Sequence, residues 1–277
     1  MRKPSSIYAS LFVTWLIWDN GHFGELLRRG VAPEIGLEHG GFDVPLARHR
    51  ETAVAIRDHG LAAAIHLPYT GIRPGAGEAR RWEAGREQLM RALEIAAIYE
   101  PDHLIGHPEF RPGLDSAASI RGGGPGNPES LNRPAEPWLE RSARLWGEAL
   151  VATEARLFLE NTVDRSPTAI MSLLERLPER AGMCFDVGHW FSAADGSTLH
   201  NLPQWIAEAA PRLRHLHLHD NHGQHDEHLG LGWGEIDFDE FFRLLKAHNL
   251  HPSFTLEAHT IPDLDASLAA MKLRTPL

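Results

Sequence analysis

The sequence places an acidic residue or a histidine at the end of one apolar run after another. Nine such side chains are His66, His107, Glu160, Asp186, His189, His217, Asp226, His228 and Glu257. Imidazole and carboxylate groups suit divalent zinc, manganese, cobalt or magnesium, whereas thiolate sites need several cysteines and this chain has 1 Cys. The pattern therefore predicts a divalent-metal site, with one cation as the first expectation.

Four of the nine residues could form a single open metal shell. Glu160 and Glu257 end predicted strands on roughly opposite sides of a ring of eight, so they could bind one metal from two directions. Asp186 and His217 would complete the shell and leave positions for two substrate oxygens. Such a shell suits Lewis-acid chemistry on a carbonyl, and the two glutamates are the candidate catalytic residues.

The segment from 215 to 219 reads His-Leu-His-Leu-His. Because side chains alternate along a strand, His215, His217 and His219 share one face and the leucines share the other. Geometry alone leaves either His217 or His219 as the ring at the metal, with the other rings in supporting or core positions.

Other polar and aromatic residues near predicted strand ends are candidates for substrate binding. Asp226 and His228 stand two apart in a loop and could serve a second metal or a substrate hydroxyl. Tyr69, Trp233 and Arg165 are candidate substrate-binding residues. Loop packing is the alternative role for Tyr69 and Trp233. His103 and His259 are interpreted as surface or structural histidines.

Short aliphatic runs alternate with stretches of helical period, which predicts eight βα units. The predicted strands are 6–13, 33–38, 61–66, 103–107, 155–160, 181–186, 213–219 and 252–257. The predicted helices are 21–30, 46–59, 79–99, 136–150, 167–177, 202–210, 237–248 and 263–273. Eight such units predict an α/β fold of the (β/α)8 TIM-barrel type, with residues 1–277 as one domain. Active sites of that fold lie at the C-terminal strand ends, where the candidate residues fall.

The composition narrows the class of protein. A chain of 277 residues with 43% hydrophobic content can bury the core of one barrel. The formal net charge of -10 argues against a nucleic-acid partner. Cys184 cannot form an intrachain disulfide, which favours a cytoplasmic location. The apolar run at residues 7–18 is too short to cross a bilayer, so no membrane association is expected.

Residues 108–135 interrupt the alternation with a segment rich in Gly, Pro and Ser. Loops of this length are usually functional or disordered. Its position after the fourth predicted strand suggests a substrate cover carrying Arg111 or Arg121, and a solvated excursion without a role is the alternative. Arg73 and Arg165 also follow strand ends and could contact a phosphate group.

Several short motifs carry a resemblance to a known superfamily. They are HLPY at 66–69, GHPE at 106–109, LENT at 159–162, FDVGHW at 185–190, HLHDN at 217–221, DEHLGLGWGEIDF at 226–238 and TLEAH at 255–259. With these motifs the chain resembles the xylose isomerase-like TIM barrel superfamily, in particular its sugar phosphate isomerase and epimerase group, which is related to endonuclease IV. The resemblance covers most of the chain from the third strand onward.

The resemblance implies two different metal sites. In ketose epimerases, one Mn, Co or Mg is bound by the residues matching Glu160, Asp186, His217 and Glu257, which favours His217 over His219, and His189 contacts a substrate hydroxyl. In endonuclease IV, three zinc ions are bound by residues matching all nine positions named at the outset. This chain has a suitable residue at each of the nine.

These observations predict a metal-dependent isomerase or epimerase of carbohydrate metabolism. One glutamate would remove a carbon-bound proton from a sugar, sugar phosphate or polyol, and the other would return it through a metal-stabilised enediolate. The alternatives are an endonuclease IV-like zinc phosphodiesterase acting on abasic DNA, an inosose-type dehydratase and a noncatalytic carbohydrate-binding protein. A homo-oligomer is possible.

Overall fold

The computed structural model describes residues 7–18, 21–38, 40–111, 114–117, 132–192 and 201–274. Eight parallel strands close into a barrel, each strand pairing with the next and β8 pairing with β1. The strands are β1 (Ile7–Phe12), β2 (Ala32–Gly36), β3 (Ala64–His66), β4 (His103–Gly106), β5 (Arg156–Glu160), β6 (Ala181–Asp186), β7 (Leu213–Leu218) and β8 (Ser253–Leu256). The predicted (β/α)8 fold is confirmed.

Helices follow the strands and pack around the barrel. In the described part of the chain they are α1 (Trp15–Trp18), α2 (His22–Arg29), α3 (Leu46–Asp58), α4 (Ala79–Ala96), α5 (Glu136–Ala152), α6 (Thr168–Leu174), α7 (Val187–Ser192), α8 (Leu202–Ala209), α9 (Phe238–Ala247) and α10 (Ile261–Arg274). Within the described residues, no helix is both long and apolar enough to span a membrane. The alternation of helix and strand agrees with the sequence prediction, apart from α1 and α7.

The two unpredicted helices are short and closely follow strands. The helix α7 has 6 residues and begins immediately after Asp186, the last residue of β6. A single turn and a half leaves too few residues to display a helical period. The longer helix α9 is capped at its N-terminus, where the Asp237 side chain accepts a hydrogen bond from the Glu240 backbone N–H at 2.9 Å.

The strands divide their side chains between two environments. Outward-facing residues such as Ile35, Leu157 and Leu216 join the large apolar cluster that also contains the helix residues. The inward-facing residues are largely polar, with two small apolar groups among them, Tyr8 with Ala32 and Ala64, and Ile105 with Phe158 and Cys184. Cys184 is fully buried there as a free thiol. The alternation of side chains along each strand thus separates a hydrophobic shell from a polar barrel interior.

One close approach in this fold requires a glycine. Gly188 lies at the start of α7, and a Cβ placed there would be 1.9 Å from Cε1 of His219, which follows β7. Asn221 fixes the same contact, because its side-chain amide donates to the Gly188 carbonyl oxygen at 3.0 Å. The absence of a side chain at position 188 therefore allows the barrel to hold His219 inside.

We expect Gly188→Ala to lower the free energy of unfolding by about 1–3 kcal/mol, because the added methyl group overpacks a buried contact. Urea denaturation followed by circular dichroism measures the change. The matched control is Gly147→Ala inside α5, where an added Cβ meets no described atom within 4 Å. That control should gain about 0.5–1 kcal/mol from the better helix propensity of alanine. Equal changes in the free energy of unfolding in the two variants would contradict the requirement for a glycine at position 188.

Candidate functional site

The carboxyl ends of the strands surround a cavity of about 580 Å³. Seven of the nine residues predicted to bind metal line it, namely His66, His107, Glu160, His189, Asp226, His228 and Glu257. The other two, Asp186 and His217, have 0% exposure. The fold therefore brings all nine side chains to one end of the barrel, in three contiguous groups.

Glu160 at the end of β5 joins two of these groups. Its Oε2 atom lies 3.0 Å from His66 Nε2 and 3.0 Å from His107 Nε2. Its Oε1 atom lies 3.3 Å from His217 Nδ1 and 3.2 Å from His189 Nδ1. Each carboxylate oxygen thus faces a different set of imidazoles, which is the arrangement of a carboxylate that can bridge two cation positions.

The group around His217 has the composition of a metal shell. His217 Nδ1 lies 3.1 Å from Glu257 Oε1 and 3.8 Å from Asp186 Oδ2, in addition to its contact with Glu160. Donor atoms bound to a common cation at about 2.0–2.2 Å are separated by distances of this order. Among the described residues, neither His217 Nδ1 nor Asp186 Oδ2, the two atoms that face the shell, has a hydrogen-bond partner. Buried polar atoms without partners are costly, so these residues fit a divalent cation.

The third group is formed by Asp226 with two histidines. Asp226 Oδ2 lies 3.2 Å from His189 Nε2 and 3.1 Å from His228 Nε2. His228 has φ of 53°, in the left-handed region that non-glycine residues rarely adopt. Such backbone strain is common where a side chain is held for function. This group lies at the mouth of the cavity, because the Asp226 side chain is 40% exposed.

The electrostatics of the site favour bound positive charge. Burial lowers the pKa of His217, but Cys184, Glu257 and Glu160 together raise it well above its ordinary value. Burial likewise lowers the pKa of His228, and its hydrogen bond to Asp226 and the Glu257 charge raise it to about 9. Without a metal, protons on the imidazoles compensate the buried carboxylates. A divalent cation would replace those protons.

The predicted substrate-binding residues have different placements. Tyr69 lines the cavity and stacks on His107, with ring centroids 5.6 Å apart and planes inclined by 20°. His189 also lines it. Trp233 is 52% exposed. Neither Trp233 nor Arg165 belongs to the described lining of the cavity. Their role in substrate binding stays a prediction that their location does not support.

The arginines considered for phosphate or substrate contact are mostly engaged elsewhere. Arg111 lines the cavity, and its guanidinium forms an ion pair of 3.0 Å with Asp115. Arg73 lies 2.9 Å from Glu109 Oε2. Arg121 and most of the predicted cover segment lie outside the described residues.

The sequence did not identify Glu34 or His259 as residues of the site, and it left the role of His219 undecided. Glu34, in the middle of β2, lies 3.0 Å from His217 Nε2. His259, interpreted above as surface or structural, instead lines the cavity and stacks on His228 with centroids 4.0 Å apart. His219 lies inside as well, 3.3 Å from Asp186 Oδ1. An acidic residue within an apolar run, as in VAPEIG, was the available signal for Glu34.

Comparison with curated proteins identifies sequence relatives of two kinds. The uncharacterized protein MJ1614 of Methanocaldococcus jannaschii is 32% identical over 223 residues, covering 78% of this chain and 78% of that protein. A probable endonuclease 4 of Moorella thermoacetica is 30% identical over 192 residues, covering 62% of this chain and 61% of the endonuclease.

Solved structures share the fold at low sequence identity. The TTHB071 protein from Thermus thermophilus, soaked with ZnCl2, aligns with a TM-score of 0.76 and 22% identity over 98% of each chain. The D-allulose 3-epimerase from Methylomonas sp. in complex with D-allulose aligns with a TM-score of 0.71 and 16% identity over 99% of each chain.

The model of one protein family matches the chain directly. Its match spans residues 31–274, from the start of β2 to the end of α10. This range contains every residue of the three groups described above. The chain belongs to the xylose isomerase-like TIM barrel family.

Proposed function

We propose that this protein is a divalent-metal-dependent isomerase or epimerase acting on a small sugar, sugar phosphate or polyol. The observation that carries the proposal is the placement of Glu160 and Glu257, which approach His217 Nδ1 from different strands at 3.3 and 3.1 Å. The cavity above them, about 580 Å³, has the size of a small-molecule site. The epimerases among the structural neighbours support this class of reaction.

A divalent cation held by Glu160, Asp186, His217 and Glu257 would polarise a substrate carbonyl and its neighbouring hydroxyl as a Lewis acid. The two glutamates would then move the proton. Glu257 lines the cavity, and its Oε2 has no hydrogen-bond partner among the described residues. Glu257 therefore removes the carbon-bound proton to give an enediolate. Glu160, once it has taken a proton from the His66 imidazole at 3.0 Å, would return that proton on the opposite face for epimerisation, or to the neighbouring carbon for isomerisation.

The cavity walls fit a polyhydroxylated molecule better than a nucleic-acid backbone. His259 and Tyr69 line the cavity, where an imidazole can bond a hydroxyl group and an aromatic ring can pack on a sugar face. Among the described lining residues, Arg111 is the one Lys or Arg side chain, and it is paired with Asp115. Because phosphate backbones are bound mainly by Lys and Arg, this lining favours a small substrate.

We expect Glu257→Gln to abolish turnover, with a loss of at least about 100-fold, because the amide cannot accept the proton and is a poorer metal ligand. Exchange of solvent deuterium into a ketose, followed by proton NMR, measures the activity. The matched control is Glu227→Gln, which removes an exposed carboxylate that contacts His222 at 2.9 Å. Wild-type exchange in a folded Glu257→Gln protein would refute the acid–base assignment.

A second candidate function is hydrolysis of a phosphodiester, in the manner of a zinc-dependent endonuclease acting on abasic DNA. The specific observation in its favour is a pair of histidines around each of two carboxylates. Glu160 lies 3.0 Å from both His66 and His107. Asp226 lies 3.2 Å from His189 and 3.1 Å from His228. These groups could hold further cations beside the one at His217, and clustered cations suit phosphoryl chemistry. The endonuclease 4 relative supports this alternative.

Metal content separates the two candidates. We expect protein purified without chelators to contain about one divalent cation per chain, and His228→Ala to retain it, because the four-donor shell at His217 does not include His228. Inductively coupled plasma mass spectrometry gives the stoichiometry. About three zinc ions in the wild type, about two in His228→Ala and cleavage of abasic DNA by the wild type would instead establish the second candidate.

A further inference from the structure

Glu34 is a buried carboxylate that neither the four-donor shell nor the proton transfer uses. It is 2% exposed, and its Oε1 atom lies 3.0 Å from His217 Nε2. The other ring nitrogen of His217, Nδ1, faces the carboxylates of Glu160 and Glu257. The imidazole is therefore enclosed by carboxylates on both sides, with Glu34 on the side away from the predicted cation.

The Glu34 carboxylate is held in place by strand β8. Thr255 Oγ1 donates a hydrogen bond of 2.6 Å to Glu34 Oε2. His215 Nε2 lies 2.9 Å from the same Thr255 hydroxyl, and His215 Nδ1 lies 2.8 Å from Ser253 Oγ. A cation placed among Glu34, His215 and His217 would have to displace these bonds. The group is thus better described as a hydrogen-bonded support under His217 than as another metal site.

We propose that Glu34 is a positioning residue for His217, holding the ring from its Nε2 side so that Nδ1 is presented to the cation. A histidine that binds metal through one nitrogen is oriented by the partner of the other nitrogen. Glu34 lies in β2, which is not adjacent to β7 in the barrel, so its contact with His217 crosses the barrel interior. The inference rests on the cation-binding part of the proposed function and is independent of the reaction catalysed.

The first test measures zinc affinity by competition with a chromophoric chelator. Glu34→Gln keeps the volume and removes the charge, and it should weaken zinc binding about 10–100-fold. The matched control, Asp102→Asn, alters a carboxylate that accepts a 2.6 Å hydrogen bond from the Tyr8 hydroxyl, away from the cavity, and should keep wild-type affinity. Wild-type affinity in a folded Glu34→Gln protein would overturn the inference.

A double-mutant cycle shows whether Glu34 acts through His217. In a His217→Ala background, Glu34→Gln should cost no further affinity, since the ring it positions is gone. Equal losses in both backgrounds would show a general structural effect and overturn the proposal.

NMR of zinc-loaded wild-type protein tests the orientation even if the variants do not fold. Nitrogen-15 spectra should show His217 bound through Nδ1, with its proton on Nε2. The opposite arrangement would overturn the inference while leaving the proposed function intact. Wild-type protein that binds no zinc or other divalent cation would refute the proposed function itself, and the inference with it.

Discussion

The concentration of buried carboxylates around one imidazole is the constraint on which the site depends. Glu34, Glu160, Asp186 and Glu257 all lie within 3.8 Å of a ring nitrogen of His217. Burying several like charges is strongly unfavourable unless positive charge compensates them. In the metal-free protein His217 and His189 have raised pKa values, so their protonated imidazoles supply part of that positive charge. A divalent cation supplies it more effectively, which links the stability of this end of the barrel to metal binding.

The barrel tolerates this polar interior because its hydrophobic surface lies outside. Outward residues such as Leu159, Phe185 and Leu256 pack in the large apolar cluster, while their neighbours Glu160, Asp186 and Glu257 point inward. Closure of the barrel brings the inward-facing polar side chains of different strands together. Only when the strands form a ring do inward side chains from β3 to β8 converge on one axis.

The sequence was sufficient to predict the barrel and most of the residues that meet at its carboxyl end. The residues it did not predict were missed for physical reasons. Strand ends such as LFLE and CFD carry their polar residue after an apolar run, so Glu160 and Asp186 are visible as site candidates. Glu34 stands in mid-strand, and its importance depends on the contact with His217, a residue 183 positions later, which no local pattern contains. The place of His259 was missed for a similar reason, since the geometry of the loop after β8 brings its ring to the cavity.

The two candidate functions differ in what they require of Glu160. This residue is 1% exposed, and its Oε2 lies equally close to His66 and His107. A cation bound to those two histidines would engage Oε2 and leave Glu160 with little capacity to carry a proton. Without that cation, the imidazoles can exchange protons with Glu160, and Glu257, which lines the cavity, keeps an oxygen without a hydrogen-bond partner among the described residues. Occupancy of the position between His66 and His107 therefore determines whether this end of the barrel is suited to proton transfer or to phosphoryl chemistry.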